Sequence, residues 1–112
     1  MAAYTELYID QGADFNNIIN LSDDLTNANI NISGYIVRSQ MRRSYYSANA
    51  SANIICTITD AVNGEIVMSL NANTTANIKA GRYLFDVETV DRLGTTSRVL
   101  EGIITVTPEI TR

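Results

Sequence analysis

The strongest constraint on the fold of this chain is a strict alternation of side chains in residues 81–91. Three apolar residues take every second position, namely Tyr83, Phe85 and Val87, and charged residues lie in the other register or at its edges, namely Arg82, Asp86 and Glu88. Successive side chains of a β-strand point to opposite faces of its sheet. The segment therefore predicts a strand with one apolar face and one largely charged face.

A second strand is predicted after a polar turn that contains Gly94. Within residues 98–106, Gly102 shares a face with three apolar residues: Leu100, Ile104 and Val106. The missing side chain of Gly102 predicts room for a bulky neighbour such as Tyr83 or Phe85. The two strands form a predicted hairpin, and its apolar face needs a second layer to cover it.

The remainder of the chain repeats this pattern. Further strands are predicted at residues 4–9, 15–21, 32–43, 54–58 and 66–70, and residues 73–79 predict a brief helical turn with Ile78 inward. Asn63 and Gly64 are typical of a tight hairpin, and Pro108 predicts the end of the last strand because it cannot donate to a ladder. About seven short strands favour an all-β fold, an immunoglobulin-like antiparallel β-sandwich, with a small barrel as the alternative.

Composition narrows the class of protein. The 112 residues fit a single domain over residues 1–112, with no disulfide needed. The net charge of −4 disfavours nucleic acid as a partner, and no segment is long enough to span a membrane. The first residues have neither a basic start nor an apolar run, so we expect no secretory signal and folding in a reducing cytoplasm.

The sequence offers little catalytic chemistry. It has no His, a single Cys and six scattered Gly residues, so the commonest general base, the commonest metal ligand and a phosphate-binding loop are all missing. Cys56 lies in an apolar run and is expected to pack as a small hydrophobic residue. We therefore expect a protein that is not an enzyme and that holds neither a metal nor a cofactor.

Three carboxylates of the last hairpin could approach one another and imitate a paired acid site: Asp86, Glu88 and Glu101. The favoured interpretation is a surface network with arginines of neighbouring strands, for which the candidates are Arg38, Arg82 and Arg98.

Candidate partner contacts lie in two polar connections. Tyr45 and Tyr46 stand in an otherwise small and polar stretch, and Asn27 and Asn29 belong to the longest predicted loop, residues 22–31. Tyrosine supplies a large amphipathic area at low entropic cost. The tyrosines could equally complete the core, and both alternatives stay open.

Five pieces of the sequence carry a family resemblance: residues 25–26, 33–44, 80–87, 98–102 and 108–112. Through them the chain, beyond about Leu7, resembles small virion structural proteins of tailed bacteriophages, particularly cyanobacterial phages, and modules at the starts of tail-fibre and baseplate proteins. The most specific pieces are Gly34 and Tyr35 with Arg38, residues 81–83, Asp86, and residues 100–102. The loop at residues 27–31 is longer than the family's compact connection.

The resemblance implies a building block without catalytic activity. Its specific pieces are expected to be folding determinants, with Tyr35, Tyr83 and Gly102 at core or close-packing positions. The chain would be a component of the tail, neck or baseplate, or a head decoration protein, made in the host cytoplasm and present in the virion in many copies bound to other phage structural proteins. The alternative is a receptor- or glycan-binding module of a tail fibre that uses Tyr45, Tyr46 and the Asn-rich loop.

Overall fold

The computed structural model describes residues 3–22, 28–44, 47 and 49–110. Within these ranges it contains seven strands and one short helix, α1 (Ala72–Ala76), which lies between the fifth and sixth strands. The strands are β1 (Ala3–Asp10), β2 (Phe15–Asn20), β3 (Ile36–Arg42), β4 (Ala52–Asp60), β5 (Glu65–Leu70), β6 (Gly81–Val90) and β7 (Thr96–Thr107).

The strands form two layers that share β4, in the order β1-β7-β6-β3-β4-β5-β2. At the start of β4, Ile54 pairs with Ser39 of β3. The next residue, Ile55, pairs with Ser69 of β5, so β4 passes from one layer to the other. The prediction of an all-β, immunoglobulin-like sandwich of seven strands is confirmed.

One strand pair differs from the antiparallel arrangement expected from the sequence. β1 runs parallel to β7, with Thr5 opposite Gly102, whereas the other pairs are antiparallel. Phe85 lies directly opposite Gly102, in line with the expected room for an aromatic ring, but a Cβ built on Gly102 would first overlap the backbone carbonyl oxygen of Thr5. The space beside Gly102 is filled by the main chain of β1.

The core lies between the layers and is built mainly from the alternating apolar positions. Tyr83, Phe85, Leu100 and Ile104 are buried, as predicted for the last hairpin. The Tyr83 hydroxyl donates to the carbonyl oxygen of Lys79 at 2.6 Å. The other members of the core cluster are Ile9, Phe15, Met41, Ile54, Met68, Leu70, Ile78, Val87 and Val106.

Helix α1 is held by one fully buried hydroxyl. The Gly12 N–H donates to Thr75 Oγ1 at 3.1 Å, and Thr75 Oγ1 donates to the carbonyl oxygens of Ala13 at 2.8 Å and Ala72 at 3.1 Å. Asn71 caps the helix by accepting from the Thr74 N–H at 2.8 Å. Thr75 thus ties α1 to the turn between β1 and β2.

The boundaries of most predicted elements hold, with one clear difference. β3 begins at Ile36 rather than at residue 32, because Ser33 and Gly34 form a turn in which Gly34 has a φ of +81°. Tyr35, expected as a core position, is only half-buried. β7 ends at Thr107, immediately before Pro108, as predicted. Within the described residues, no helix has both the length and the apolar character needed to cross a bilayer.

Candidate functional site

Three of the four partner-contact residues predicted from the sequence lie in parts of the chain that the structure does not describe. Tyr45, Tyr46 and Asn27 lie outside the described residues. Asn29 is exposed and forms an isolated β-bridge with Ser22, so it lies beside the end of β2. The prediction for these four residues stays a prediction.

A concave surface lies on the outward face of the layer that contains β1, β7, β6, β3 and the start of β4. It is an open groove of about 660 Å³ that runs over β3, β4, β6 and β7. Most of its side chains come from the register of each strand that faces away from the core, whereas Val37, Ser39, Ile54 and Phe85 of the inward register also border it. Those that carry charge or an amide are Arg38, Gln40, Arg42, Asn53, Asp86, Glu88, Arg98 and Glu101. We call this surface the charged groove.

Cross-strand register places these side chains in rows. Arg38 of β3 lies opposite Glu88 of β6, and Glu88 lies opposite Arg98 of β7. In the neighbouring row, Asp86 lies between Gln40 and Glu101. Residues directly opposite each other on one face of a sheet are close enough to interact. The first row therefore brings unlike charges together across three strands, whereas the second sets the carboxylates of Asp86 and Glu101 opposite each other.

Three ion pairs lie at one end of the charged groove, one within the first row and two between the rows. Arg38 Nε lies 3.1 Å from Glu88 Oε1. Arg98 contacts two carboxylates, with its Nε 3.4 Å from Asp86 Oδ2 and its Nη1 3.1 Å from Glu101 Oε2. The surface network predicted from the sequence is confirmed for Arg38 and Arg98, whereas Arg82 takes part in none of the three ion pairs found among the described residues.

The other end of the charged groove is held by uncharged acceptors. Arg42 Nη2 donates to Gln40 Oε1 at 2.9 Å, and Arg42 Nη1 donates to the carbonyl oxygen of Ser47 at 3.0 Å. Gln40 Nε2 in turn donates to Asn53 Oδ1 at 2.8 Å. Arg42 thus carries a positive charge that neutral oxygen atoms hold in place.

Asp86 is the carboxylate with the most perturbed environment. Burial raises its pKa above the ordinary value of 3.8, and the negative charges of Glu88 and Glu101 raise it further, while Arg98 and Arg42 act in the opposite direction. The side chain remains 36% exposed, so water still screens these interactions. A perturbed carboxylate in a groove can indicate function, although ion-pair networks produce the same effect.

Only part of the charged groove could be predicted from the sequence. The outward register of Arg38, Gln40 and Arg42 along β3 follows from simple alternation. The hydrogen bond from Gln40 to Asn53 could not be predicted. It depends on the pairing of β4 with β3, which covers only three residues before β4 passes to the other layer. No local pattern in the sequence signals such a short pairing.

The lone cysteine lies away from the groove and packs as expected. Cys56 is half-buried against the core cluster, and its thiol donates to the carbonyl oxygen of Ile54 at 3.8 Å. Burial raises the pKa of the Cys56 thiol from 9.0 to about 11, so the thiol stays protonated at neutral pH. Among the described residues, no group of three or more Cys, Asp or Glu side chains is arranged to hold a metal ion.

Comparisons with known proteins identify no family for this chain. No protein-family model matches the sequence. No curated protein matches it either. Among solved structures, murine CRIg is similar in shape, with a TM-score of 0.42 and 11% sequence identity over 93% of this chain and 92% of that chain. A likeness at this level carries no argument about function, and the fold assignment rests on the strand pairing described above.

Proposed function

We propose that this chain is a non-enzymatic virion structural protein of a tailed bacteriophage, which docks on other virion proteins through the charged groove. The observation that carries the proposal is the fixed arrangement of charges in that groove. Arg98 is held by Asp86 and Glu101 at 3.4 and 3.1 Å, so a partner would meet a surface whose charges are already in place. Ordering a side chain before binding lowers the entropy cost of association.

The pattern of charge suits recognition of a protein. The charged groove presents Arg38, Arg42 and Arg98 beside Asp86, Glu88 and Glu101, so positive and negative groups alternate over a short distance. A partner with the inverse pattern would be favoured and a wrong partner penalised, because electrostatic complementarity contributes mainly specificity and rate. Neither a polyanion nor a polycation would match both signs.

A structural role is also supported by the ion pairs that the acidic side chains of the charged groove form with arginines. Glu88 and Glu101 each lie 3.1 Å from an arginine nitrogen, so both carboxylates are engaged in the ion pairs of the surface network. The sequence has no His to act as a base beside them. We therefore assign Asp86 to the same network rather than to proton transfer.

The placement in a phage particle rests on the sequence resemblance. Several residues of its specific pieces belong to the fold, including Gly102 beside β1 and the buried Tyr83. Three others line the charged groove: Arg38, Asp86 and Glu101. A surface built partly from these pieces is a reasonable place for the docking contact of a tail, neck or baseplate component or a head decoration protein.

Cryo-electron microscopy of purified particles of the source phage tests this proposal. We expect ordered, symmetric copies of the chain with the charged groove against a neighbouring virion protein. Absence from the particles would contradict the proposal, and density only at fibre tips would favour the receptor- or glycan-binding alternative.

A binding measurement with the neighbour identified in the particle would then test the groove itself. Arg98→Glu should weaken the complex by at least about tenfold, because it places a third carboxylate between Asp86 and Glu101. Arg82→Glu makes the same charge change on an exposed position of β6 outside the groove and serves as the control. Equal affinities of the two variants would show that the partner binds elsewhere.

A further inference from the structure

β2 is an edge strand with one partner. It stands at the end of the strand order and pairs with β5 from Phe15 to Asn20. No strand of the described ranges pairs with its other side. An edge of this kind presents a row of backbone donors and acceptors to its surroundings.

The direction of these backbone groups follows from the ladder with β5. The Leu21 N–H donates to the carbonyl oxygen of Gly64 at 2.9 Å, and this pair continues the register of β2 with β5. Bonded and non-bonded pairs alternate along an antiparallel ladder, so the groups of Asn17 and Ile19 point towards β5. The N–H and C=O groups of the alternate residues point to the open edge: Asn16, Ile18 and Asn20.

β2 itself has neither a charge, a Pro nor a bulge, three common protections of an edge strand against association. Its sequence, FNNIIN, contains no charged residue and no Pro, and Ile18 is 61% exposed. The edge strand of the other layer, β1, differs because it carries the exposed charged residues Glu6 and Asp10. Natural proteins usually blunt exposed edges with charges, Pro or a bulge. The absence of these devices on β2 indicates an edge that is covered in the working protein.

We propose that a second copy of this chain covers the edge, with the two β2 strands antiparallel about a two-fold axis. The chain has twelve acidic and eight basic residues, so two copies repel one another over much of their surface. β2 is an uncharged strip on that surface. The strand itself therefore brings no charge to a two-fold axis through β2, although the carboxylates of Glu6, Asp10 and Asp14 line the same depression as Asn16 and Asn17.

The sequence of β2 is self-complementary in one register. A two-fold axis perpendicular to the sheet requires paired residues to lie on the same face, so their numbers must sum to an even value. A sum of 36 places Ile18 opposite Ile18 of the partner subunit on the axis. The same register sets Asn16 opposite Asn20 of the partner subunit at both ends, where their amides can bond. All of these residues are the ones whose backbone groups point outward.

The mass of the protein in solution tests the proposal. Sedimentation or light scattering over a range of concentrations should give twice the 12.3 kDa of one chain. Ile18→Lys places charges together on the axis and should raise the dissociation constant at least about tenfold. Ile36→Lys changes an equally exposed isoleucine, 62% against 61%, on β3 of the other layer and should leave the dimer intact. Circular dichroism of both variants checks that they fold.

Amide hydrogen exchange tests the register. Exchange at Asn16, Ile18 and Asn20 should slow as the protein concentration rises, while Asn17 and Ile19, already bonded to β5, should not respond. A wild-type protein that stays monomeric up to about 1 mM would overturn the proposal. A dimer that survives Ile18→Lys, or one whose concentration-dependent protection falls outside β2, would overturn it equally.

Discussion

The carbonyl oxygen of Thr5 occupies the position that a Cβ on Gly102 would take. β1 and β7 are parallel neighbours at this point, with Thr5 opposite Gly102. The missing side chain of Gly102 therefore decides whether the first strand of the chain can join the last one.

Gly102→Ala should displace β1. The added methyl group meets main-chain atoms that cannot rotate away, and overpacking of this kind costs typically about 1–3 kcal/mol. We expect a lower free energy of unfolding in urea and faster amide exchange along β1. Gly94→Ala is the control, because no atom lies within 4 Å of its Cβ and its φ of +88° adds only local strain. Unchanged exchange in β1 of the Gly102 variant would contradict this account.

Phe85→Ala should destabilise the core strongly. Phe85 is 4% exposed at the centre of the apolar face of β6. Truncating a buried Phe removes its burial energy and leaves a cavity, at a cost of about 3–5 kcal/mol. Urea unfolding followed by fluorescence or circular dichroism would measure it. Ile36→Ala removes an exposed side chain and should change stability by no more than about 0.5 kcal/mol. A near-neutral Phe85 variant would mean that the ring does not fill the core.

Thr75→Val should loosen the contact between α1 and the turn that follows β1. The two side chains have nearly the same shape, so the main change is loss of the hydroxyl that accepts from the Gly12 N–H. A buried donor without a partner costs about 1–3 kcal/mol. Thr57→Val on the exposed face of β4 makes the same substitution without this loss. Equal unfolding midpoints for the two variants would refute the role given to Thr75.

Cys56 should make stability depend on alkaline pH. The thiol has its ordinary pKa of 9.0 in the unfolded chain and a pKa of about 11 in the folded protein. Between these values the unfolded state loses its proton first, so the free energy of unfolding falls as the pH rises. Below about pH 9 the thiol is protonated in both states and contributes no such slope.

The slope can be measured by urea unfolding at several pH values between about 9 and about 11. Cys56→Ala should give a shallower decline than the wild-type protein, because the other titrating groups are common to both. Comparison of slopes, rather than of absolute stability, removes the cost of the smaller side chain. Parallel declines would show that Cys56 does not contribute.

Local alternation determined much of the fold in advance. The faces of β6, with Tyr83 and Phe85 inward and Asp86 outward, follow from the period of two alone. The hairpin turn before Gly64 and the strand end before Pro108 follow from the backbone requirements of glycine and proline. These features depend on residues that are close together in the sequence, and they could therefore be read from it.

Tertiary structure decided which strands meet. The parallel pairing of β1 with β7, the passage of β4 between layers and the ion pair of Arg38 with Glu88 each depend on contacts between distant segments. A period of two specifies which face of a strand is apolar, but it does not specify the neighbour or the direction of pairing. The neighbour and the direction of pairing depend on which backbone edges can approach each other. At Gly102, the missing side chain allows the backbone of β1 to approach β7.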